Sequence, residues 1–255
     1  MRTLAVIPAR LGATRLPRKP LRLLAGQPLI VRVWEHVLAM EAVDQIVVAT
    51  DSGEIASVAA GAGATVAITR NDHQSGTDRI AEVVFGAGSA FGDFDVIVNV
   101  QGDEPFIPPE AVRGARDMVT GRAFELGTAA VRADTAVLGD PDVVKVVCGD
   151  DARAMYFSRA AIPFLRQPAD ASTREALVRQ HLGVYAYTRD ALRRWVALPP
   201  HALELSERLE QLRPLAAGMS MGVALIDARA PIAVDTEEDL MRANAHWETR
   251  FAGRS

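Results

Sequence analysis

Cysteine is almost absent. The single Cys148 excludes an internal disulfide and fits a reducing compartment. With Val146 and Val147 beside it, it reads as an inert thiol in a strand rather than as a nucleophile. Aromatic residues are scarce at 5%, while 49% of the chain is hydrophobic, so alanine, valine and leucine have to fill the core. No apolar run approaches the ~20 residues of a membrane helix. The opening MRTLAVIPAR is too short and too quickly basic for a secretory leader. Strong net charge is also missing. A formal charge of −4 gives no general attraction to nucleic acid or to an anionic membrane, so an anionic ligand has to be held by a local cluster of cations. HExxH, GxSxG, CxxC, a Walker A loop and a complete GxGxxG are all lacking. Zinc hydrolysis, triad hydrolysis, metal–thiolate sites and a dinucleotide fingerprint therefore have no support. The expectation is a cytoplasmic, soluble protein with neither nucleic acid nor membrane as partner.

What is present is a rhythm. Thr3–Ile7, Gln45–Thr50, Ala64–Thr69 and Asp95–Val100 are β-branched runs that read as strands. Between them, 28–40 carries apolar residues at helical spacing, Ile55–Ala60 is helical up to the stop at 61–63, and Asp78–Phe85 is a third helix. This βαβαβαβ order predicts an α/β fold with a mostly parallel sheet covered by helices. Beyond residue 107 the pattern loosens. Ala129–Arg132, Val143–Cys148, Ala154–Phe157 and Leu182–Thr188 read as strands with shorter connections, as in a smaller mixed lobe. Leu203–Leu215 reads as one helix, Met221–Asp227 as a late strand, and Thr236–Trp247 as a closing helix capped by Thr236. No repeat or linker divides the 255 residues, so a single domain 1–255 is expected, with the lobe within about 130–215.

Ligands of open parallel sheets bind beyond the carboxyl ends of the strands. After the first strand comes IPARLGATRLPRKPL, which packs Arg10, Arg15, Arg18 and Lys19 into ten residues with the small Gly12 and Ala13 among them. Such a loop suits phosphate oxygens, although many charge runs are only solvated surface. After the fourth strand comes QGDEP, with Gln101, Asp103 and Glu104 on a tight turn. Hard Mg2+ takes one or two protein carboxylates and leaves its other positions to phosphate and water, and Asp103 suits that role. Turn formation alone also explains this tetrapeptide. Asp235, between a late apolar stretch and a helix, is the leading second carboxylate, or else a helix starter. The polar segment TRNDHQSGTDR offers Gln74, Ser75 and Gly76 for reading a base edge. In RQHLGVYAY, strand geometry puts His181, Gly183, Tyr185 and Tyr187 on one face, for structure or for recognition of a polyhydroxy acid.

These segments in this order resemble one family, the 3-deoxy-manno-octulosonate (Kdo) cytidylyltransferases. The matching stretches are IPARLGATRLPRKPL, ATD, TRNDHQSGTDRIAEVV, VNVQGDEP, VVKVV, YFSRAAIPF, HLGVYAY, LEQLRPL and VDTEEDL, and they cover nearly the whole chain. The resemblance implies a Rossmann-like nucleotidyltransferase fold and a homodimer that transfers CMP from CTP to Kdo for lipopolysaccharide assembly. It implies that Arg10 and Lys19, with Arg15 in the same loop, hold the phosphates, and that the segment around Gln74, Ser75 and Gly76 contacts the cytidine. Asp103 and Asp235 would bind Mg2+. Gln101, Arg159, His181, Tyr185, Glu210 and Gln211 look like the positions around the sugar.

Four positions depart from the family pattern. Arg18 stands where glycine is usual, altering the turn or adding a phosphate contact; Ala13 replaces serine, Asp142 asparagine, and Ala233 a glycine before VDT. Two rival readings accompany the resemblance. One is the same reaction on 8-amino-Kdo or a sialic-acid-like sugar. The other is a nucleotide-binding regulator without catalysis, which would lack Asp103, Asp235 or Lys19; all three are present.

Overall fold

The computed structural model describes residues 1–12, 15–121, 124–164, 166 and 177–251. Ala13 lies outside them. The chain forms two compact units built from interleaved segments: Asp95–Val98 with Glu110–Ala230, and Arg2–Phe94 with Asn99–Pro109 and the chain from Pro231 onward.

The second of these units carries the first half of the predicted rhythm. Strand β1 (Thr3–Ala9) is followed by the small hairpin β2 (Leu23–Leu24) and β3 (Gln27–Pro28) and by helix α1 (Leu29–Ala39). Then come β4 (Gln45–Thr50), α2 (Gly53–Gly61), β5 (Thr65–Ile68) and α3 (Gly76–Phe85). Strands β1, β4 and β5 pair in parallel, from Leu4 opposite Gln45 to Thr50 opposite Ile68. Leu4, Ala5, Val6 and Ile7 have no exposed surface, the continuous burial of a strand covered on both faces. Helix α1 buries Leu29, Ile30, Val33 and Val37, the recurrence of one helical face. Ser52 and Ser75 cap α2 and α3, their hydroxyls accepting from the N–H of Ile55 and Asp78, so each loop that precedes a helix ends at a fixed point.

The other unit holds β6 (Val96–Asn99, through Val98), α4 (Pro109–Thr120, from Glu110), β7 (Leu126–Arg132), β8 (Lys145–Cys148), β9 (Ala154–Ser158) and β10 (Arg179–Thr188). Helices α5 (Arg189–Ala197), α6 (Ala202–Glu207) and α7 (Leu212–Ala216) and strand β11 (Met221–Ile226) complete it. Its sheet runs β11-β7-β10-β6, with β8 on β10 and β9 on β8. The β11–β7 pair is parallel and the β7–β10 and β8–β9 pairs are antiparallel, so the sheet of this unit is mixed. Gly127 is required here by close approach: a Cβ would lie 2.0 Å from the Ala115 carbonyl oxygen on α4. Helix α8 (Glu237–Phe251) returns the chain to the second unit.

The structure corrects one element. The single helix expected over Leu203–Leu215 is two, because Arg208 adopts a left-handed backbone (φ 54°) that ends α6. Chain direction changes there, and the Glu204–Arg213 ion pair, largely buried, ties the two pieces together. Among the described residues, no helix is long and apolar enough to cross a membrane.

Candidate functional site

In the unit that carries β1, β4 and β5, a cavity of about 390 Å3 opens at the carboxyl end of β1. Ten of the residues singled out from sequence line it: Arg10, Gly12, Arg15 and Lys19 from the basic loop, Gln74, Ser75 and Gly76 before α3, Gln101 and Asp103, and Asp235. Arg10, Arg15, Lys19 and Arg79 are set against only Asp103 and Asp235, so the cavity is cationic in a chain that is anionic overall. Arg10 is exposed and makes no ion pair among the described residues.

Lys19 sits at the centre. Its ammonium donates to Asp103 Oδ2 at 2.6 Å and to Asp235 Oδ1 at 2.8 Å. Arg15 reaches the other oxygen of Asp235 at 3.0 Å. Burial pushes the Lys19 pKa down, but the two carboxylates outweigh burial and hold it above its ordinary value. Lys19 is therefore a fixed cation at neutral pH and no general base. The two acidic loops are joined through their backbones, since the Val234 N–H donates to the Asp103 carbonyl at 2.9 Å. Gly102 is needed for the turn beside them: a Cβ would stand 2.8 Å from the Pro8 carbonyl oxygen at the end of β1.

The helix-start reading of Asp235 fails on geometry. Thr236 and Asp239 cap α8 themselves, Thr236 Oγ1 accepting from the Asp239 N–H at 3.1 Å while the Asp239 carboxylate accepts from the Thr236 N–H at 3.0 Å. The Asp235 side chain is left for Lys19 and Arg15. Ala233 is exposed and has no positive φ, so the position tolerates a side chain. Arg18 has φ 58°, the left-handed region in which glycine costs least, which accounts for the family's glycine. Its guanidinium pairs with Glu54, and Arg18 does not line the cavity.

Sequence reasoning missed three members of this region. His73 lines the cavity with a nearly buried side chain, and its Nε2 pairs with Glu82 on α3. Burial pushes the Glu82 carboxyl up, yet hydrogen bonds from His73 and from the Arg70 N–H hold it below its ordinary value. Glu82 is thus ionised at neutral pH, and the proton on that bond belongs to the imidazole. Arg79, also on α3, is buried and donates to Asp51 Oδ2 at 2.8 Å. An arginine three residues before a glutamate on a short helix carries no sign in the sequence that either group is turned inward to hold a loop.

The remaining candidates, Arg159, His181, Tyr185, Glu210 and Gln211, belong to the other unit and do not line this cavity. Arg159 is tightly held: its N–H donates to Glu207 at 2.9 Å, its Nε to the Glu207 carbonyl at 2.9 Å and an Nη to the Pro141 carbonyl at 2.8 Å. Lys145, buried, gives its ammonium to the carbonyls of Asp140, Val143 and Arg159. Asp142 lies in this exposed loop, its N–H on Asp140 Oδ1 at 2.8 Å. Glu210 and Gln211 occupy the break between α6 and α7, and Gln211 is buried. Tyr185 packs edge-on to Trp195 with centroids 6.1 Å apart. Cys148 is half-buried in β8, and burial raises its pKa despite a hydrogen bond from Arg179, consistent with an unreactive thiol.

His181 is fixed in one tautomer. Thr128 donates its hydroxyl proton to the Val184 carbonyl at 2.7 Å, so the bond of 2.9 Å between Thr128 Oγ1 and His181 Nε2 is donated by the imidazole. Phe157 and Tyr185 flank the ring at 5.0 and 5.4 Å, and burial pushes its pKa down to about 3. A histidine held neutral in the fold takes up its proton only on unfolding. Stability from this source is complete above the ordinary pKa of 6.5 and is lost as pH falls from there towards about 3. The slope is at most about 1.4 kcal/mol per pH unit. We expect His181→Gln to flatten the decline of urea-unfolding free energy between pH 6.5 and 4. Identical slopes in both proteins would show that His181 is not the group taking up the proton.

Residues 4–221 match the family model described as "Cytidylyltransferase". A 3-deoxy-manno-octulosonate cytidylyltransferase of Gemmatimonas aurantiaca is 58% identical, covering 100% of this chain and 98% of its own. The protein of the same name from Yersinia enterocolitica is 43% identical over 96% of this chain and 98% of its own. Among solved structures, CMP:2-keto-3-deoxy-manno-octonic acid synthetase complexed with CTP superposes with a TM-score of 0.88 at 35% identity, covering 98% of this chain and 100% of its own. The 4-diphosphocytidyl-2C-methyl-D-erythritol synthase of Anaerococcus prevotii, at 14% identity and a TM-score of 0.62, shares the fold.

Proposed function

This chain belongs to the 3-deoxy-manno-octulosonate cytidylyltransferase family, and on that premise we propose that it transfers CMP from CTP to the anomeric hydroxyl of Kdo. The observation that carries the reading is the Lys19 ammonium seated between Asp103 and Asp235 in a cationic cavity at the end of a parallel strand. In the reaction, the anomeric oxygen bonds to the α-phosphorus, its proton is lost, the bond from that phosphorus to the bridging oxygen breaks, and pyrophosphate leaves in line.

The donor set fits Mg2+. Two carboxylates converge on one cationic centre, and a hard divalent ion takes that number, with phosphate oxygens and water filling its other positions. Bound there by Asp103 and Asp235, it would neutralise triphosphate charge and lower the pKa of the attacking hydroxyl. The rest of the work falls to the chain. Lys19, Arg10 and Arg15 place positive charge where the leaving pyrophosphate gains negative charge. Lys19 is already seated at the centre of the cavity, and Lys19 and Arg15 would pass from the two carboxylates to the phosphates as nucleotide and Mg2+ bind. Gln74, Ser75 and Gly76 hold the cytidine. Gln101, Arg159, His181, Tyr185, Glu210 and Gln211 bind the sugar, with the neutral His181 offering Nδ1 as an acceptor. The same reading makes the enzyme a cytoplasmic homodimer whose product feeds lipopolysaccharide assembly.

Oxygen labelling tests the chemistry. Kdo carrying 18O at the anomeric position should yield CMP-Kdo that keeps the label in the bridge to phosphorus. Loss of the label with product formed would mean that a nucleotide oxygen attacks the sugar instead. Equimolar Kdo, 8-amino-Kdo and N-acetylneuraminate in one reaction, read by product mass, should give CMP-Kdo predominantly; another dominant product would move the substrate while keeping the fold.

A further inference from the structure

The loop from Thr69 to Ser75, which supplies Gln74 and Ser75 to the cavity, is anchored almost residue by residue. The Thr69 N–H donates to the Thr50 carbonyl at 2.9 Å, and the Thr69 hydroxyl accepts from Arg79. The Arg70 carbonyl accepts from Arg79 at 3.3 Å, while the Arg70 N–H donates to Glu82 Oε2 at 3.1 Å. His73 pairs with that same Glu82 oxygen. Gln74 Nε2 reaches the Asp72 carbonyl at 3.2 Å, and Ser75 closes the segment as the cap of α3. Arg79 and Glu82 lie one turn apart on α3, a spacing that puts them on one face of the helix. Arg79 takes the start of the loop and Glu82 its middle. Arg79 is itself tied to Asp51, so the hold extends to the end of β4.

We propose that Glu82 is a positioning residue for pyrimidine recognition, holding the 69–75 loop through His73 and the Arg70 N–H in the one shape that presents Gln74, Ser75 and Gly76 to the base. This rests on the function proposed above. Glu82 does not line the cavity, so it acts through the loop and not by touching nucleotide. The physical reason is preorganisation. Seven loop residues with free backbones would have to be ordered each time a nucleotide bound, and the lost conformational entropy would be subtracted from the affinity. Discrimination depends on the same rigidity. Cytosine and uracil differ at ring position 4, a donor amino group against an acceptor carbonyl, and at N3, an acceptor against a donor. A loop fixed with its donors and acceptors in place suits one pattern, whereas a loose loop can turn a group around and accept both.

The test compares wild type, Glu82→Ala and Glu82→Gln for CTP and UTP affinity by calorimetry without sugar, and for KM and kcat with CTP, UTP and Kdo. In Glu82→Ala, which removes the acceptor for both His73 and the Arg70 N–H, the KM and Kd for CTP should rise at least about tenfold, the size expected for losing even one charged hydrogen bond. The preference for CTP over UTP should shrink by a similar factor, and KM for Kdo should stay within twofold. Glu82→Gln retains an acceptor for the Arg70 N–H and should recover much of the preference. An unchanged CTP-to-UTP preference in Glu82→Ala would overturn the proposal. So would equal losses for both substrates with a lowered melting temperature, the mark of a merely structural residue. A wild-type protein that binds CTP but releases no pyrophosphate sinks the functional reading while the affinity comparison still decides the role of Glu82. A wild-type protein that binds neither nucleotide overturns both.

Discussion

Asp103→Asn and Asp235→Asn should each lower pyrophosphate release from CTP and Kdo by on the order of 10²–10³ while leaving the protein folded. Asparagine has nearly the same shape, so the substitution removes charge and little else. The fold has little at stake. Both carboxylates are partly exposed, and ion pairs of that kind contribute about 1 kcal/mol or less. The backbone bond from Val234 to the Asp103 carbonyl is untouched by either change. Losing one preorganised electrostatic contact in a transition state costs roughly 2.7–4 kcal/mol, several times the expected stability loss. Activity and stability should therefore separate cleanly: turnover collapses and the melting temperature moves by a few degrees at most. A variant that keeps near-normal turnover would remove its residue from the proposed metal site.

Lys19→Met should be comparably severe but differently distributed. Methionine keeps the aliphatic stem and removes the ammonium, which leaves Asp103 and Asp235 facing each other without their shared cation. Repulsion between them resists the entry of a triphosphate, and the leaving pyrophosphate loses its fixed counter-charge. KM for CTP should rise while KM for Kdo changes little, and kcat should fall by about 10²–10³. Equal effects on both substrates would argue against a phosphate role. Arg18 supplies the control. It is the adjacent cation in sequence, but it pairs with Glu54 and does not line the cavity, and Arg18→Gly also relieves a left-handed backbone. That variant should retain activity within about twofold, well under the 1.4 kcal/mol that a tenfold change represents.

The elements that sequence locates best are those whose local pattern and tertiary role agree. β1 and β4 are apolar runs rich in β-branched residues, buried at every position but Pro8 and Gln45, and α1 shows its apolar face at every turn. α4 and α5 escaped that reading for a physical reason. The buried face of α4 is made of Ala111, Val112, Ala115 and Val119, small groups set among charged residues, so the segment is polar on average and does not stand out as an apolar stretch although its two faces differ clearly. α5 buries only Ala191, Leu192 and Trp195 amid charged residues, and its start is fixed by the Thr188 cap, not by a hydrophobic run. The break at Arg208 was illegible because a left-handed arginine carries no signal of its own; only the Glu204–Arg213 pairing across it shows why the chain turns.

The cavity was legible to the extent that its residues follow strand ends. Arg10, Lys19, Asp103 and the segment before α3 all sit where a parallel sheet puts its ligands. Asp235 is different. It lies over two hundred residues from Lys19, and no spacing rule brings the two within 2.8 Å. Its place between an apolar stretch and a helix made it the leading second carboxylate, with a helix start as the alternative, and the pairing of Thr236 with Asp239 explains why its side chain is left for the site. Glu82 and Arg79 were invisible because helix periodicity reports which face is buried and not what a charged group on that face is holding.

The most direct measurement of the central claim is pyrophosphate release from CTP and Mg2+ with and without Kdo. Release that requires Kdo, with CMP-Kdo as the product, is the predicted result. Pyrophosphate released equally without Kdo, or none released by a folded protein that binds CTP, would contradict it.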